Sequence, residues 1–201
     1  MRDLVICYST ALEGAGLPAA VGGRALTLVE TGVGPVNAAF ALTRVLTEDP
    51  ARAVIVCGIG GAYPSSGLEP GSVACASIEL YGDLGAESPD GFLDMEALGF
   101  PIGALPLDLF PAQVRVPFVT CATCTGTDER AAEIVRRTGG KVESMEGAAI
   151  VQVARKMSVP VGEIRGISNI AGRRDRAGWR LHEAAANARK ALVEWIEAGA
   201  C

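Results

Sequence analysis

The sequence predicts an α/β fold with a largely parallel central sheet. Three observations carry that prediction. Apolar strand-like runs alternate with helical patterns along the chain. The runs are rich in Val, Ile and Leu and often apolar on both faces, as in strands covered by helices on both sides. A length of 201 residues suits one domain with a sizeable core, where two would be cramped.

The elements follow in order. Strand-like runs lie at 4–9, 25–30, 52–57, 72–80, 114–120 and 161–168. The N-terminal "MRDLVICYST" has an acid at position 3 and no small-residue cleavage site, so it reads as a first strand and not as a signal peptide. A helix over 36–47 is Ala- and Leu-rich and is opened by Gly34-Pro35, with proline at a first-turn position. A helix over 128–137 begins with two acids and ends with two arginines, matching the helix dipole. Helices over 146–156 and 179–198 complete the set. The stretch 82–113 is rich in Gly, Pro and Asp and has poor periodicity. It reads as a long surface excursion suited to a lid or a subunit contact. No internal repeat, heptad array or low-complexity segment interrupts the pattern.

Composition narrows the function classes. With 49% apolar and 20% charged residues the chain is globular, not disordered. A net charge of −5 argues against nucleic acid and anionic membrane as partners. No apolar run reaches the roughly 18 residues of a membrane span. Six cysteines lie at 7, 57, 75, 121, 124 and 201, the first five in or near apolar runs where Cys behaves as a small buried hydrophobe. Cys121 and Cys124 have redox-motif spacing without the surrounding redox motif, and with His182 as the only histidine no zinc site is expected. The pattern suggests a reduced, cytoplasmic protein.

Five stretches hold the polar residues suited to chemistry. "CYSTALEGAGL" (7–17) leaves the first strand and presents Glu13, which a solvated first-turn acid would also explain. "VETGVGPVNAAFAL" (29–42) is a strand, a glycine turn and a helix start, whose backbone amides suit an anion or a hydroxyl. It lacks the third glycine of a dinucleotide fingerprint. In "VIVCGIGGAY" (54–63) a buried strand runs into Gly58, Gly60 and Gly61, glycines that would let a ligand approach the backbone and that a turn needing positive φ would also explain. "VESMEGAAIVQVA" (142–154) places Glu146 where a strand becomes a helix, with Met145 beside it. Glu146 there suits either the helix dipole or a sugar diol. "GEIRGISNIAGRRDRAGW" (162–179) puts Asn169 at the end of a late strand, where α/β enzymes display their chemistry, although Ser and Asn are also common turn formers.

Taken together, Glu13 after strand one, the Gly-Gly stretch, "SMEGAAI" and "RGISN" resemble the nucleoside phosphorylase and nucleosidase superfamily, on the branch of the methylthioadenosine/S-adenosylhomocysteine nucleosidases. The resemblance covers nearly the whole chain. Within that branch "EIRGISNIAGRRDRAGW" resembles the futalosine hydrolases. It implies a three-layer α/β/α fold with a mixed, mostly parallel sheet in one nucleosidase domain over 1–201. It also implies hydrolysis of a purine nucleoside, futalosine, to hypoxanthine and dehypoxanthinyl futalosine in menaquinone biosynthesis. No cofactor or metal is implied, and a homo-oligomer, a dimer or larger, is expected.

The resemblance also implies roles. Glu13 matches the acid that activates the attacking water. Met145 and Glu146 match the ribose-contacting pair, with Gly60 beside them. Asn169 stands where adenine-specific nucleosidases carry Asp. "CATCTGTDE" is shorter than its counterpart and lacks an aromatic residue, so no base-stacking residue is assigned. Arg174, with Arg173 and Arg176, is a candidate for the carboxylate tail of futalosine, as opposed to a solvated loop charge.

Asn169 fits the chemistry of a 6-oxopurine. N-glycosidic cleavage builds positive charge on the ribose and negative charge on the base, and a site stabilises both where they develop. A carboxylate oxygen would repel O6. An amide offers a donor for O6 and an acceptor for N7–H of the leaving base. Glu13 in place of a cationic element after strand one argues for water, not phosphate, as the nucleophile, unless Arg24, Arg44 and Arg52 converge from elsewhere. The alternatives are another purine nucleosidase, including one acting on methylthioadenosine/S-adenosylhomocysteine or aminodeoxyfutalosine, a 6-oxopurine nucleoside phosphorylase, or a non-catalytic nucleoside-binding protein.

Overall fold

A computed structural model describes residues 1–100, 102–110 and 114–199. Eleven strands and five helices follow one another as β1 (Arg2–Tyr8), α1 (Ala11–Gly14), β2 (Ala20–Val21), β3 (Arg24–Glu30), α2 (Pro35–Glu48), β4 (Ala51–Ala62), β5 (Val73–Tyr81), β6 (Gly85–Ser88), β7 (Gly91–Asp94), β8 (Leu105–Pro106), β9 (Arg115–Thr120), α3 (Asp128–Thr138), β10 (Val142–Ser144), α4 (Gly147–Lys156), β11 (Val161–Ile170) and α5 (Leu181–Glu197).

The main sheet runs β10-β9-β5-β11-β4-β1-β3-β2, with β8 on β5. β1 is parallel to both β3 and β4, and β4 is parallel to β11. β9 is parallel to β5 and to β10. Antiparallel pairing joins β11 to β5, and β10 returns antiparallel to β4, so one end of the sheet curls closed on itself. That closure brings β10, with Glu143, over the end of β4, and Glu146 follows at the start of α4.

Alternation along the central strands explains the three layers. Val5, Cys7, Val54 and Val56 pack in one cluster with Leu42 and Leu46 of α2 and Ile150 and Val151 of α4. Their neighbours Leu4, Ile6, Ile55 and Cys57 point the other way, onto Leu192, Trp195 and Ile196 of α5. Both faces are covered, which is why these strands read as continuous apolar runs. α3 packs through Ala131 and Ile134 against Tyr63, Val119 and Cys121.

One expectation is corrected. Gly58, Gly60 and Gly61 do not form a turn; β4 continues through them to Ala62. Within the surface excursion of 82–113, β6 and β7 form a hairpin, and β8 pairs with β5. Its hairpin turn carries Ser88-Pro89-Asp90-Gly91, a recognisable turn sequence. Phe110 re-enters the core, its ring 4.0 Å from that of Trp195. Residues 101 and 111–113 of this stretch, and Cys201, lie outside the described residues. The five described cysteines are free, and burial pushes the thiols of Cys7, Cys57 and Cys75 up to about 12. No helix among the described residues is long and apolar enough to cross a membrane.

Candidate active site

The ends of β1, β4, β10 and β11 meet around a cavity of ≈ 210 Å³. Its lining includes Glu13, Gly60, Met145, Glu146, Asn169 and Arg174, with Arg173 beside them, and does not include Arg176. The cavity lies where an open α/β sheet places ligands.

Glu13 sits on the short α1, immediately after β1. It is 4% exposed, which removes the reading of a solvated acid. Its Oε2 accepts from the backbone N–H groups of Ser9 and Thr10 at 3.0 and 2.9 Å and from Thr10 Oγ1 at 3.1 Å. Its Oε1 accepts from Ile59 N at 2.9 Å. Gly58 makes this arrangement possible: a Cβ there would lie 2.8 Å from Arg165 Nη1 and closer still to Glu13 Oε1.

Glu146 is the residue that caps α4. Its Oε1 accepts from the backbone N–H of Gly34 at 3.0 Å, at the start of α2. The glycine turn of 29–42 therefore does hold an anion with a backbone amide, and the anion is Glu146. Met145 lies beside it on the cavity wall. Gly60 faces β10, where a Cβ would meet Val142 Cγ1 at 2.7 Å and Glu143 O at 3.0 Å. Its lack of a side chain thus serves strand packing, and it still lines the cavity.

Arg165 links the two acids and was not singled out in the sequence. Its Nη1 donates to Ile59 O at 3.0 Å and lies 3.9 Å from Glu13 Oε1 and 3.7 Å from Glu146 Oε2. Its Nε donates to Glu163 Oε1 at 2.7 Å. Burial works against its charge, yet the carboxylates of Glu163, Glu146 and Glu13 hold its pKa above that of an ordinary arginine. Its Nη2 has no hydrogen-bond partner among the described residues. Arg24 and Arg52 instead line a groove beside Asp3 and Leu109, and Arg44 lies beside Phe40 on α2. None of these three lines the cavity.

Asn169 follows a bulge in β11, where the register with β4 shifts between Ile167 and Asn169. Its Nδ2 donates to Ile170 O at 3.1 Å, which fixes the amide orientation because a carbonyl only accepts. Ser168 Oγ lies 2.7 Å from Asn169 Oδ1 and 3.2 Å from Gly60 O, and donates to the nearer. An amide has two N–H donors and two acceptor lone pairs. One donor and one acceptor therefore remain for a ligand.

The rim is cationic and aromatic. Arg173, Arg174 and Trp179 line the cavity. The Arg174 and Arg176 guanidinium carbons lie 5.2 and 5.7 Å from the centre of the Trp179 ring. On the opposite wall Glu143 holds the 121–125 turn in place, accepting from Tyr63 Oη at 2.8 Å, from Thr125 N at 2.9 Å and from Thr125 Oγ1. Among the described residues no group of His, Cys, Asp or Glu is arranged to hold a metal ion.

Glu143, Arg165 and Ser168 were missed in the sequence. The signal was present: charged residues are almost never fully buried unless paired, and "VGEIRGISNI" places two of them inside an apolar central strand.

The family model of the Phosphorylase superfamily matches residues 19–197. Futalosine hydrolase of Streptomyces coelicolor is 38% identical over 79% of this chain and 73% of its own. Futalosine hydrolase of Thermus thermophilus is 34% identical over 81% of this chain and 77% of its own. The crystal structure of a 5'-methylthioadenosine/S-adenosylhomocysteine nucleosidase from Neisseria meningitidis, in complex with methylthio-immucillin-A, superposes with a TM-score of 0.82. It covers 98% of this chain and 100% of that one at 22% identity, a likeness of fold.

Proposed function

Because the chain belongs to the phosphorylase superfamily and, within it, to the futalosine hydrolases, we infer that it hydrolyses the N-glycosidic bond of futalosine. The products are hypoxanthine and dehypoxanthinyl futalosine, and the reaction belongs to menaquinone biosynthesis by the futalosine pathway. The observation that supports the mechanism is that Glu13, Arg165, Glu146 and Asn169 line one cavity.

In this reading Glu146 accepts hydrogen bonds from the ribose hydroxyls, and Met145 forms an apolar wall against the sugar. As the C1′–N9 bond stretches, positive charge grows on the ribose. Glu13 and Glu146, buried and fixed beforehand by backbone donors, stabilise that charge without reorganising. Water adds to C1′ and gives a proton to Glu13. Arg165 Nη1, 3.9 Å from Glu13 Oε1 and 3.7 Å from Glu146 Oε2, offsets the charge of the two carboxylates. At the other end Asn169 donates its free N–H to O6. Its free lone pair accepts from N7–H of the departing hypoxanthine, the proton having come through water.

Water is the nucleophile because of charge. Glu13 and Glu146 flank the buried Arg165 guanidinium in the cavity, and two carboxylates beside one guanidinium repel an incoming phosphate dianion. The exposed Arg174 beside Trp179 faces the aromatic carboxylate tail of the substrate. The reading extends to a cytoplasmic homo-oligomer. Five free cysteines suit a reducing compartment, and Val36 and Phe40 of α2, 80% and 68% exposed, offer an apolar face near the cavity. The test is to incubate the protein with futalosine in phosphate-free buffer and identify both products. Hypoxanthine with a free anomeric hydroxyl is expected. A requirement for phosphate, with a sugar 1-phosphate formed, would assign a phosphorylase instead.

A further inference from the structure

Behind Arg165, away from the cavity, lie two glutamates that the reaction does not touch. Glu79 of β5 and Glu163 of β11 are both fully buried. Each has one oxygen engaged: Glu79 Oε2 accepts from Thr120 Oγ1 at 2.9 Å, and Glu163 Oε1 accepts from Arg165 Nε at 2.7 Å. The other two oxygens, Glu79 Oε1 and Glu163 Oε2, have no hydrogen-bond donor among the described residues. Both crowd the same point in space. A Cβ on Gly147 would lie 2.5 Å from Glu163 Oε2 and nearer still to Glu79 Oε1.

Two ionised carboxylates cannot be buried with bare oxygens facing each other, since like charges at a shared site force one of them to take up a proton. One proton between Glu79 Oε1 and Glu163 Oε2 satisfies both atoms. We propose that Glu79 and Glu163 share a single proton carried by Glu79, and that this acid–carboxylate pair is the positioning element that holds Arg165 in the active site.

The neighbouring groups decide which residue carries it. Glu163 Oε1 already accepts from the Arg165 guanidinium. Glu79 faces the hydroxyl of Thr120 on β9, which in turn accepts from Ala148 N at the start of α4, and its nearest charged groups are Glu163 and, beyond it, Arg165. Burial first, and then the Glu163 charge, pushes the Glu79 carboxyl well above the usual carboxylate range. A continuous relay results: the Ala148 N–H donates to Thr120, Thr120 to Glu79, Glu79 to Glu163, and Glu163 accepts from Arg165 Nε. Glu163 and Arg165 are two positions apart on β11 and so share a face of the strand. Glu163 fixes the Nε side of the guanidinium and leaves Nη1 toward Ile59, Glu13 and Glu146. Gly147 is the vacancy that admits the pair, and Glu146, its neighbour in sequence, stands on the cavity side.

The role assigned to Arg165 rests on the hydrolase reading given above; the shared proton does not, and it can be observed without substrate. The experiment is infrared spectroscopy of the native protein in heavy water at neutral pH, searching for the carbonyl stretch of a protonated carboxylic acid, followed by the same measurement on Glu79→Gln and kinetics of Glu79→Gln and Glu163→Gln. The native protein should show the band and Glu79→Gln should lose it. Glu79→Gln keeps a neutral donor, so it should fold and retain kcat. Glu163→Gln removes the anion on Nε. Because misplacing a group at the chemistry by about 1 Å costs on the order of 10²-fold, it should lower kcat by a factor of that order while KM changes little. No band in the native protein, a band that survives in Glu79→Gln, a Glu79→Gln protein that does not fold, or a Glu163→Gln protein with native kcat would each overturn the proposal.

Discussion

Gly58 has no side chain because Glu13 occupies its place: a Cβ there would press on Glu13 Oε1 and lie 2.8 Å from Arg165 Nη1. The glycine thus sets the position of two charged side chains on different elements. Gly58→Ala should move Glu13 away from Ile59 N. Overpacking of this kind costs roughly 1–3 kcal/mol of stability, and a shift of about 1 Å at a reacting group costs on the order of 10²-fold in rate. Thermal unfolding and turnover measured together check this: a modest fall in Tm with a large fall in kcat is expected.

Glu13→Gln keeps the shape of the side chain and removes the proton acceptor. Hydrolysis should fall by roughly 10²-fold or more, the usual scale for a general base, while nucleoside binding persists. Equilibrium binding and single-turnover rates measured on the same preparation separate the two effects.

Much of this was legible in the sequence. The alternation of buried strands and helices gave the central layers, because strands apolar on both faces have no other place in a fold. Glu13, Glu146 and Asn169 were visible because each is a polar residue at the end of an apolar run. Arg165 was hidden by its position inside such a run, since periodicity alone does not say which partners a buried charge will find. The extension of β4 through Gly58–Gly61 was hidden because glycine reads as a turn former, and only the tertiary neighbours Glu13 and Val142 show why glycine is needed in a strand. The closure of β10 onto β4 rests on a three-residue strand, too short to carry a period.

Glu146, held by the Gly34 amide, should make the enzyme selective for ribose. Loss of a charge-assisted hydrogen bond is worth about 1.5–3 kcal/mol, so a 2′-deoxy substrate should be cleaved roughly 10- to 100-fold less efficiently. Comparing kcat/KM for the ribo- and deoxyribo-forms of one nucleoside measures this directly.

Arg174 is exposed at the rim, so its pairing with a substrate carboxylate is screened and worth about 1 kcal/mol or less. Arg174→Ala should raise KM for futalosine by about two- to fivefold and leave KM for inosine, which has no carboxylate, unchanged. Steady-state kinetics on the two substrates provide the check.

The central claim is that Asn169 reads the 6-position of the purine, and the most direct measurement is base release from futalosine and from its 6-amino analogue by the native protein and by Asn169→Asp. A buried site that mismatches donors and acceptors loses orders of magnitude in efficiency. The native protein should release hypoxanthine from futalosine and barely act on the 6-amino analogue, and Asn169→Asp should lose cleavage of futalosine, because a carboxylate oxygen would then face O6. Native activity that prefers the 6-amino analogue, or an Asn169→Asp protein that still cleaves futalosine at the native rate, would contradict the account.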